Sequence, residues 1–138
     1  MNIDRKLILF FTVLMIFACQ AQIPKSETVT RQGVVFEKGD EKPFTGFVTG
    51  RGREDYRTQI CRYEKQYKDG ILNGTCKFWY PNGKLESVEP YKNGQINGNV
   101  IRYYDNGQMK ARIPIRNGVR AGSAGEFFWD KKGKLITG

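Results

Sequence analysis

Short runs of apolar and aromatic residues, separated by glycine, asparagine and proline, fill the chain from about residue 44 onward. Residues 76–80 and 100–104 are typical, because both runs are rich in aromatic and β-branched side chains. Glycine or proline interrupts every run before the roughly ten residues that a helix needs. The pattern therefore predicts an all-β fold of short strands.

These runs recur with a period of about 24 residues. The glycines that keep this interval are Gly70, Gly94 and Gly118, then Gly74, Gly98 and Gly122, and also Gly83 and Gly107. A third copy, which ends in residues 127–135, is about two residues longer, and a degenerate copy opens near Phe44 with an insertion around residues 51–56. Repeats of this length are single supersecondary units that cover one another's apolar faces. We expect an antiparallel meander of stacked hairpins.

Each repeat has room for two strands and two connections. Asn82-Gly83 and Asn106-Gly107 predict two-residue turns of type I′, because asparagine and glycine both tolerate the positive φ that this turn requires. The connections over residues 69–73 and 93–97 are expected to be longer.

The N-terminal segment has the pattern of a signal peptide. Arg5 and Lys6 precede an apolar run over residues 7–18 that only Thr12 interrupts. Twelve helical residues reach about 18 Å, too short for a hydrocarbon core of about 30 Å. Residues 20–32 are polar and carry Pro24, so they predict a mobile tether. The expected organisation is a signal peptide over residues 1–18, Cys19 with the tether to residue 32, and a repeat domain over residues 33–138.

Composition favours binding over catalysis. The chain is 39% hydrophobic and 13% aromatic, so it is not a disordered chain, and it contains 0 histidines. The commonest general base and metal ligand is therefore missing. The carboxylates, such as Glu54, Asp55, Glu86 and Glu89, have no adjacent base or metal cluster. We expect no enzymatic activity, no metal and no cofactor.

Charge and aromatic pairs point to a surface for a macromolecule. Without residues 1–18 the chain keeps 21 basic and 13 acidic residues, which favours an anionic partner unless the charge serves only solubility. The aromatics match core positions, and an exported protein rarely meets nucleic acid, so we expect no nucleic-acid partner. Adjacent strand residues point to opposite faces, so one member of each aromatic pair can face outward. The candidate binding residues are Trp79, Tyr80, Tyr103, Tyr104 and Trp129.

Cys61 and Cys76 are the cysteines that remain after Cys19. An exported protein can oxidise them to a disulfide. They are not opposite each other in an undistorted hairpin, because Cys61 lies about ten residues before the centre of the connection and Cys76 about five after it. A bulge or a contact between neighbouring repeats would be needed for this bridge.

Two resemblances extend this interpretation. The pattern Tyr-Lys-Asp/Asn-Gly, then glycine, an aromatic pair and Asn-Gly-Lys/Gln-Leu/Met resembles the variant MORN repeat of bacteria over about residues 44–138. With residues 43–46 it is similar to the YwqK family, a resemblance that implies an antitoxin of a toxin–antitoxin system. Residues 16–19, Ile-Phe-Ala-Cys, resemble the lipobox of bacterial lipoproteins, which implies cleavage before Cys19 and a lipid anchor on that residue. Cleavage by an ordinary signal peptidase would instead release a secreted protein.

Together these features predict a lipid-anchored, exported repeat protein that binds a macromolecule at the cell envelope. The first hypothesis is an antitoxin-like or immunity-like protein that neutralises a partner protein, such as a toxin. The alternative is a structural envelope module that binds anionic lipid or polysaccharide through a basic surface.

Overall fold

A computed structural model describes residues 20–53, 57 and 59–138. The predicted signal peptide and Cys19 lie outside the described residues. The strands are β1 (Gln22–Pro24), β2 (Thr28–Arg31), β3 (Val34–Glu37), β4 (Gly46–Gly52), β5 (Cys61–Lys68), β6 (Ile71–Leu72), β7 (Gly74–Trp79), β8 (Leu85–Lys92), β9 (Gln95–Ile96), β10 (Gly98–Tyr103), β11 (Met109–Arg116), β12 (Val119–Arg120), β13 (Phe127–Trp129) and β14 (Leu135–Thr137). A 3₁₀ turn over Lys25–Glu27 separates β1 from β2.

Among the described residues, the main sheet has twelve strands, and nine of them form its path in the order β1-β4-β5-β7-β8-β10-β11-β13-β14. The short strands β6, β9 and β12 pair with β5, β8 and β11. From β4 onward the path follows chain order and every pairing in it is antiparallel, whereas β1 pairs parallel to β4. The prediction of an all-β antiparallel meander is therefore confirmed.

In each repeat, the two-residue turn and the longer turn lie at the opposite ends of the hairpin from those that the sequence predicts. Lys68 pairs with Ile71, and both intervening residues have positive φ, 50° at Asp69 and 74° at Gly70, as in a type I′ turn. At the other end, Gly83 donates its N–H to the Tyr80 carbonyl and has φ 85°, while Asn82 is not in the left-handed region. The expectation of type I′ turns at Asn82-Gly83 and Asn106-Gly107 is thus wrong. Those are longer turns with glycine at the last position.

Hydrogen bonds join each repeat to the next along the edge of the sheet where the type I′ turns lie. The turn glycines donate their N–H groups to carbonyls of the preceding repeat: Gly70 to Phe44, Gly94 to Leu72 and Gly118 to Ile96. Neighbouring repeats therefore lie side by side in one sheet rather than face to face. The bond from Gly70 to Phe44 includes the degenerate first copy in the same series.

One face of the sheet carries the core, and we call it the buried face. Phe78 lies opposite Tyr63 and Ser87, and it packs with Tyr63, Cys61 and Cys76. A second cluster joins Val48 to Val35 and Phe44, which come from the N-terminal part of the domain. The β2–β3 side of the chain thus covers the sheet near β4.

The prediction of a tether over residues 20–32 is wrong, because these residues form β1, the 3₁₀ turn and β2. The Ala21 carbonyl accepts the Phe47 N–H at 2.7 Å, and Ile23 lies opposite Val48. β2 pairs with β3, with Val29 opposite Phe36. The segment has little apolar surface, but the edge of β4 offers backbone partners that do not depend on side-chain hydrophobicity.

Cys61 and Cys76 are not bonded to each other. The β5–β7 register places Glu64 opposite Lys77, so Cys76 lies near Lys65, four residues from Cys61. That offset is about 13 Å along a strand, beyond disulfide reach. The bulge in β7–β8 falls at Phe78 and Trp79 and leaves this register intact. The structure therefore does not contain the possible disulfide between Cys61 and Cys76.

Candidate binding face

The face opposite the core carries a regular row of aromatic residues. Phe78, Arg102 and Phe128 lie on the buried face through their pairing with Ser87 and Ala111. The residue after each points to the opposite side, because side chains alternate along a strand. We call that side the open face and its residues Trp79, Tyr103 and Trp129 the aromatic row.

A repeated bulge sets the position of the row. The register shifts between Phe78 and Trp79, between Arg102 and Tyr103, and between Phe128 and Trp129. Each aromatic therefore occupies the same place just before the longer turn, and each faces an aliphatic side chain on the return strand. The three pairs are Trp79 with Leu85, Tyr103 with Met109 and Trp129 with Leu135.

The row is accessible to a partner. Trp79, Tyr103 and Trp129 are half-buried, whereas Met109 and Leu135 are 37% and 49% exposed. On the buried face, Phe78 is only 1% exposed. On β7, therefore, the core lies on the buried face and the more exposed ring lies on the open face.

Arginines stand beside the aromatics of the open face. The Arg62 guanidinium carbon lies 3.9 Å from the centroid of the Trp79 ring, and Arg112 lies 5.8 Å from that of Phe127. Such stacking is a cation–π interaction and holds ring and charge together. Arg51 lies opposite Arg62, so three arginines share this face with the aromatic row.

Tyr80 and Tyr104 have a different role from their neighbours. The Tyr80 hydroxyl donates to the Tyr103 carbonyl at 2.7 Å, and the Tyr104 hydroxyl donates to the Trp129 carbonyl at 2.9 Å. Each bond crosses from one repeat to the next. Of the five candidate aromatics, the structure brings Trp79, Tyr103 and Trp129 together on the open face and uses Tyr80 and Tyr104 as links between repeats.

The longer turns of successive repeats form a shallow groove of about 440 Å³ along the edge of the sheet where Tyr80 and Tyr104 lie. Tyr80 and Tyr104 line it together with Lys110 and Lys131. Burial, reinforced by the nearby Glu86 and Asp105 carboxylates, raises the pKa of the Tyr80 hydroxyl. The hydrogen bond from Lys131 lowers the pKa of Asp105. Both hydroxyls donate to backbone carbonyls of the next repeat, so this groove results from the side-by-side arrangement of the repeats.

Sequence reasoning missed one buried polar cluster. Arg57, from the insertion between β4 and β5, donates from Nη2 to Glu89 Oε1 at 2.6 Å and to Ser87 Oγ at 2.8 Å. Its guanidinium also lies 3.4 Å from the Phe78 ring centroid. Arg57 is thereby held against the buried face. The sequence signal for this cluster was Glu89, because a carboxylate at an inward-facing strand position requires a buried partner.

The polar groups of this cluster are bonded to one another. Ser87 Oγ donates to Glu89 Oε1 at 3.0 Å, and the same carboxylate accepts from Arg57, so it is engaged as an ion-pair acceptor. Burial raises the pKa of the Cys76 thiol to about 11, which makes it a poor nucleophile. Across the described ranges, no group of three or more His, Cys, Asp or Glu side chains is placed to hold a metal ion.

The fold and this face define a class: a largely antiparallel sheet built from hairpin repeats, with one face open. A family model described as a MORN repeat variant matches residues 72–93 and 96–117. These ranges are the β6–β8 and β9–β11 repeats, so the chain contains MORN-variant repeats. No curated protein and no solved structure matches the chain. In the part of the chain that the structure describes, no helix is long and apolar enough to span a membrane.

Proposed function

We propose that the protein is a non-enzymatic binding module that holds a macromolecule against its open face at the cell envelope. The supporting observation is the aromatic row, which repeats in register across three hairpins and remains half-buried. Tryptophan, tyrosine and arginine are the residues that most often carry binding energy at interfaces. MORN-variant repeats support the same conclusion, since they are binding modules.

The arginines favour an anionic component of the envelope as the partner. Arg51, Arg62 and Arg112 share the open face with the aromatics, and Glu64 is paired there with Lys77 at 3.8 Å. Anionic lipid and acidic polysaccharide both meet this description. Attachment to the envelope rests on Cys19: a Cys19→Ser variant should lose the lipid and leave the membrane fraction.

A partner protein is the second candidate, with an antitoxin-like or immunity-like role. It is supported by the apolar side chains that alternate with the aromatics from strand to strand, Leu85, Met109 and Leu135, which suit a shape-complementary contact. Such a contact should persist in high salt, whereas adsorption through charge should weaken.

Affinity capture tests both candidates. The tagged full-length protein is recovered from detergent-solubilised native cells and washed at about 0.1 M and then about 0.5 M salt. We expect a partner that is lost with Tyr103→Ala and retained with the control Val119→Ala, which removes an exposed aliphatic side chain of β12. Capture that is insensitive to Tyr103→Ala would contradict binding through the open face.

A further inference from the structure

We propose that the open face binds an extended β-1,4-linked glycan that carries carboxylates. This inference rests on the proposed binding function and specifies its ligand. The chemistry is that of a single glycan strand of the cell wall, and three features of the open face support it: the spacing of the aromatic row, the nature of its rings, and its arginines.

The spacing of the row suits a chain with a disaccharide repeat. Trp79, Tyr103 and Trp129 lie on β7, β10 and β13, which are two strand positions apart. With about 4.8 Å between neighbouring strands, the aromatics recur about every 9.6 Å. An extended β-1,4-linked glycan presents the same sugar face once per disaccharide, over a comparable length. Three aromatics thus match three successive disaccharides.

The rings are suited to sugars. The C–H-bearing face of a pyranose is apolar with a partial positive charge, and it stacks on the negative face of an aromatic ring. Arg62 covers one face of Trp79, and Phe127 stacks on Trp129 with 6.0 Å between ring centroids, so a sugar takes the face that these neighbours leave. Leu85 and Met109 fill the spaces between the rings. Polar groups for the sugar hydroxyls lie one pair further along the strands, at Glu64 and Lys77.

The arginines account for the carboxylates. Arg62 is stacked on Trp79 and Arg112 lies by Phe127, so a cation stands beside an aromatic at both ends of the row. A shallow cleft of about 430 Å³ continues the open face beyond Trp79, and its charged lining is Arg51, Arg62 and Glu64. Glu64 is paired with Lys77 at 3.8 Å, which leaves the two arginines for a ligand carboxylate. A guanidinium binds a carboxylate in a bidentate manner.

Sheet twist adds a constraint on the form of the glycan. Adjacent strands rotate by about 20–25°, so successive aromatics turn by roughly 45° relative to each other. A single, soluble strand can follow this twist, but the flat surface of a crystalline polysaccharide cannot. The protein should therefore bind soluble strands and ignore crystalline cellulose or chitin.

The experiment is a fluorescence titration of the full-length protein in a mild detergent. The chain's two tryptophans, Trp79 and Trp129, both lie in the aromatic row, so their emission reports on the site directly. The probes are peptidoglycan glycan strands stripped of peptides, neutral chitohexaose, and amylose as an α-linked control. We expect binding in the order stripped strands, chitohexaose, amylose.

The variants assign the contribution of each group. Tyr103→Ala should weaken binding of the stripped strands at least about tenfold, Tyr103→Phe should retain it, and Val119→Ala should leave it unchanged. Arg62→Ala with Arg112→Ala should remove the preference for stripped strands over chitohexaose. Circular dichroism of each variant verifies the fold.

Distinct results would overturn the glycan or the binding function. Equal binding of amylose, or binding unaffected by Tyr103→Ala, would overturn the glycan proposal. No glycan binding, together with a protein captured through the open face or with Tyr103-dependent binding to vesicles of anionic phospholipid, would overturn the glycan and leave the binding function intact. Neither glycan, vesicle nor captured protein would overturn both.

Discussion

Arg57 and Glu89 form a buried ion pair, with 2.6 Å between Nη2 and Oε1, although they lie 32 residues apart in sequence. Their side chains are 3% and 1% exposed. Through this pair Arg57, which precedes β5 in the chain, is joined to β8, two strands beyond β5 in the sheet. The buried face near Phe78 therefore depends on a polar contact as well as on apolar packing.

Removing one partner of this pair should be costly. Arg57→Ala leaves the Glu89 carboxylate buried without its cation, and we expect a loss of about 3–5 kcal/mol in the free energy of unfolding. Urea denaturation of the full-length protein in detergent measures it. The control is Lys131→Ala, which removes the exposed ion pair with Asp105 and should change stability little. Equal effects of the two variants would contradict the role of Arg57.

The hydroxyl groups that link the repeats should contribute to stability, whereas the hydroxyl group of Tyr103 on the open face should not. Tyr80→Phe and Tyr104→Phe each remove one hydroxyl bond to the next repeat, and each should lower stability by about 0.5–1.5 kcal/mol. Tyr103→Phe is the matched control, since its ring belongs to the open face. Thermal or urea denaturation gives the comparison, and a larger loss for Tyr103→Phe would reverse the assignment of the aromatic pair.

Two glycines in equivalent turns should respond differently to alanine. Gly118, at φ 78°, has open space around an added Cβ, so Gly118→Ala should cost about 1–2 kcal/mol through backbone strain alone. At Gly70 the same methyl group would collide with the Val34 side chain and lie 2.7 Å from the Val35 carbonyl oxygen. Gly70→Ala should therefore cost clearly more in the same denaturation assay. Similar losses would indicate that β3 does not pack on this turn.

Stability should fall in alkaline solution partly because of Cys76. Its pKa is raised from 9.0 to about 11 in the folded state, so between these values the unfolded thiol ionises while the folded thiol keeps its proton. The free energy of unfolding consequently decreases as pH rises from about 9 to 11. Cys76→Ala should be less stable at pH 8 but lose less between pH 9 and 11. An unchanged slope in the variant would contradict the burial of the thiol.

Much of the fold was predictable because glycine marks each chain reversal. The interval of Gly70, Gly94 and Gly118 was sufficient to infer the hairpin meander. Turn type was not, since Asn-Gly occurs at both ends of a hairpin, at Asn82-Gly83 and Asn93-Gly94. Which end takes the type I′ turn depends on strand register, and a dipeptide does not encode register.

The candidate site was predicted in part for a similar reason. Alternation along a strand implied that one aromatic of each pair faces outward, but the choice between Trp79 and Tyr80 depends on the bulge at Phe78 and Trp79. The pairing of Arg57 with Glu89 joins residues 32 apart in sequence, and no local pattern encodes such a contact. Residues 20–32 pair with the rest of the fold through backbone hydrogen bonds, which a pattern of side-chain hydrophobicity does not predict.

The central claim, that the open face is the binding surface, is tested most directly by hydroxyl-radical footprinting of the full-length protein with and without native envelope extract. We predict protection of Trp79, Tyr103 and Trp129, with no change at the linking residues Tyr80 and Tyr104. Protection confined to Tyr80, Tyr104 and the neighbouring turns would move the surface to the groove at the sheet edge and contradict the account.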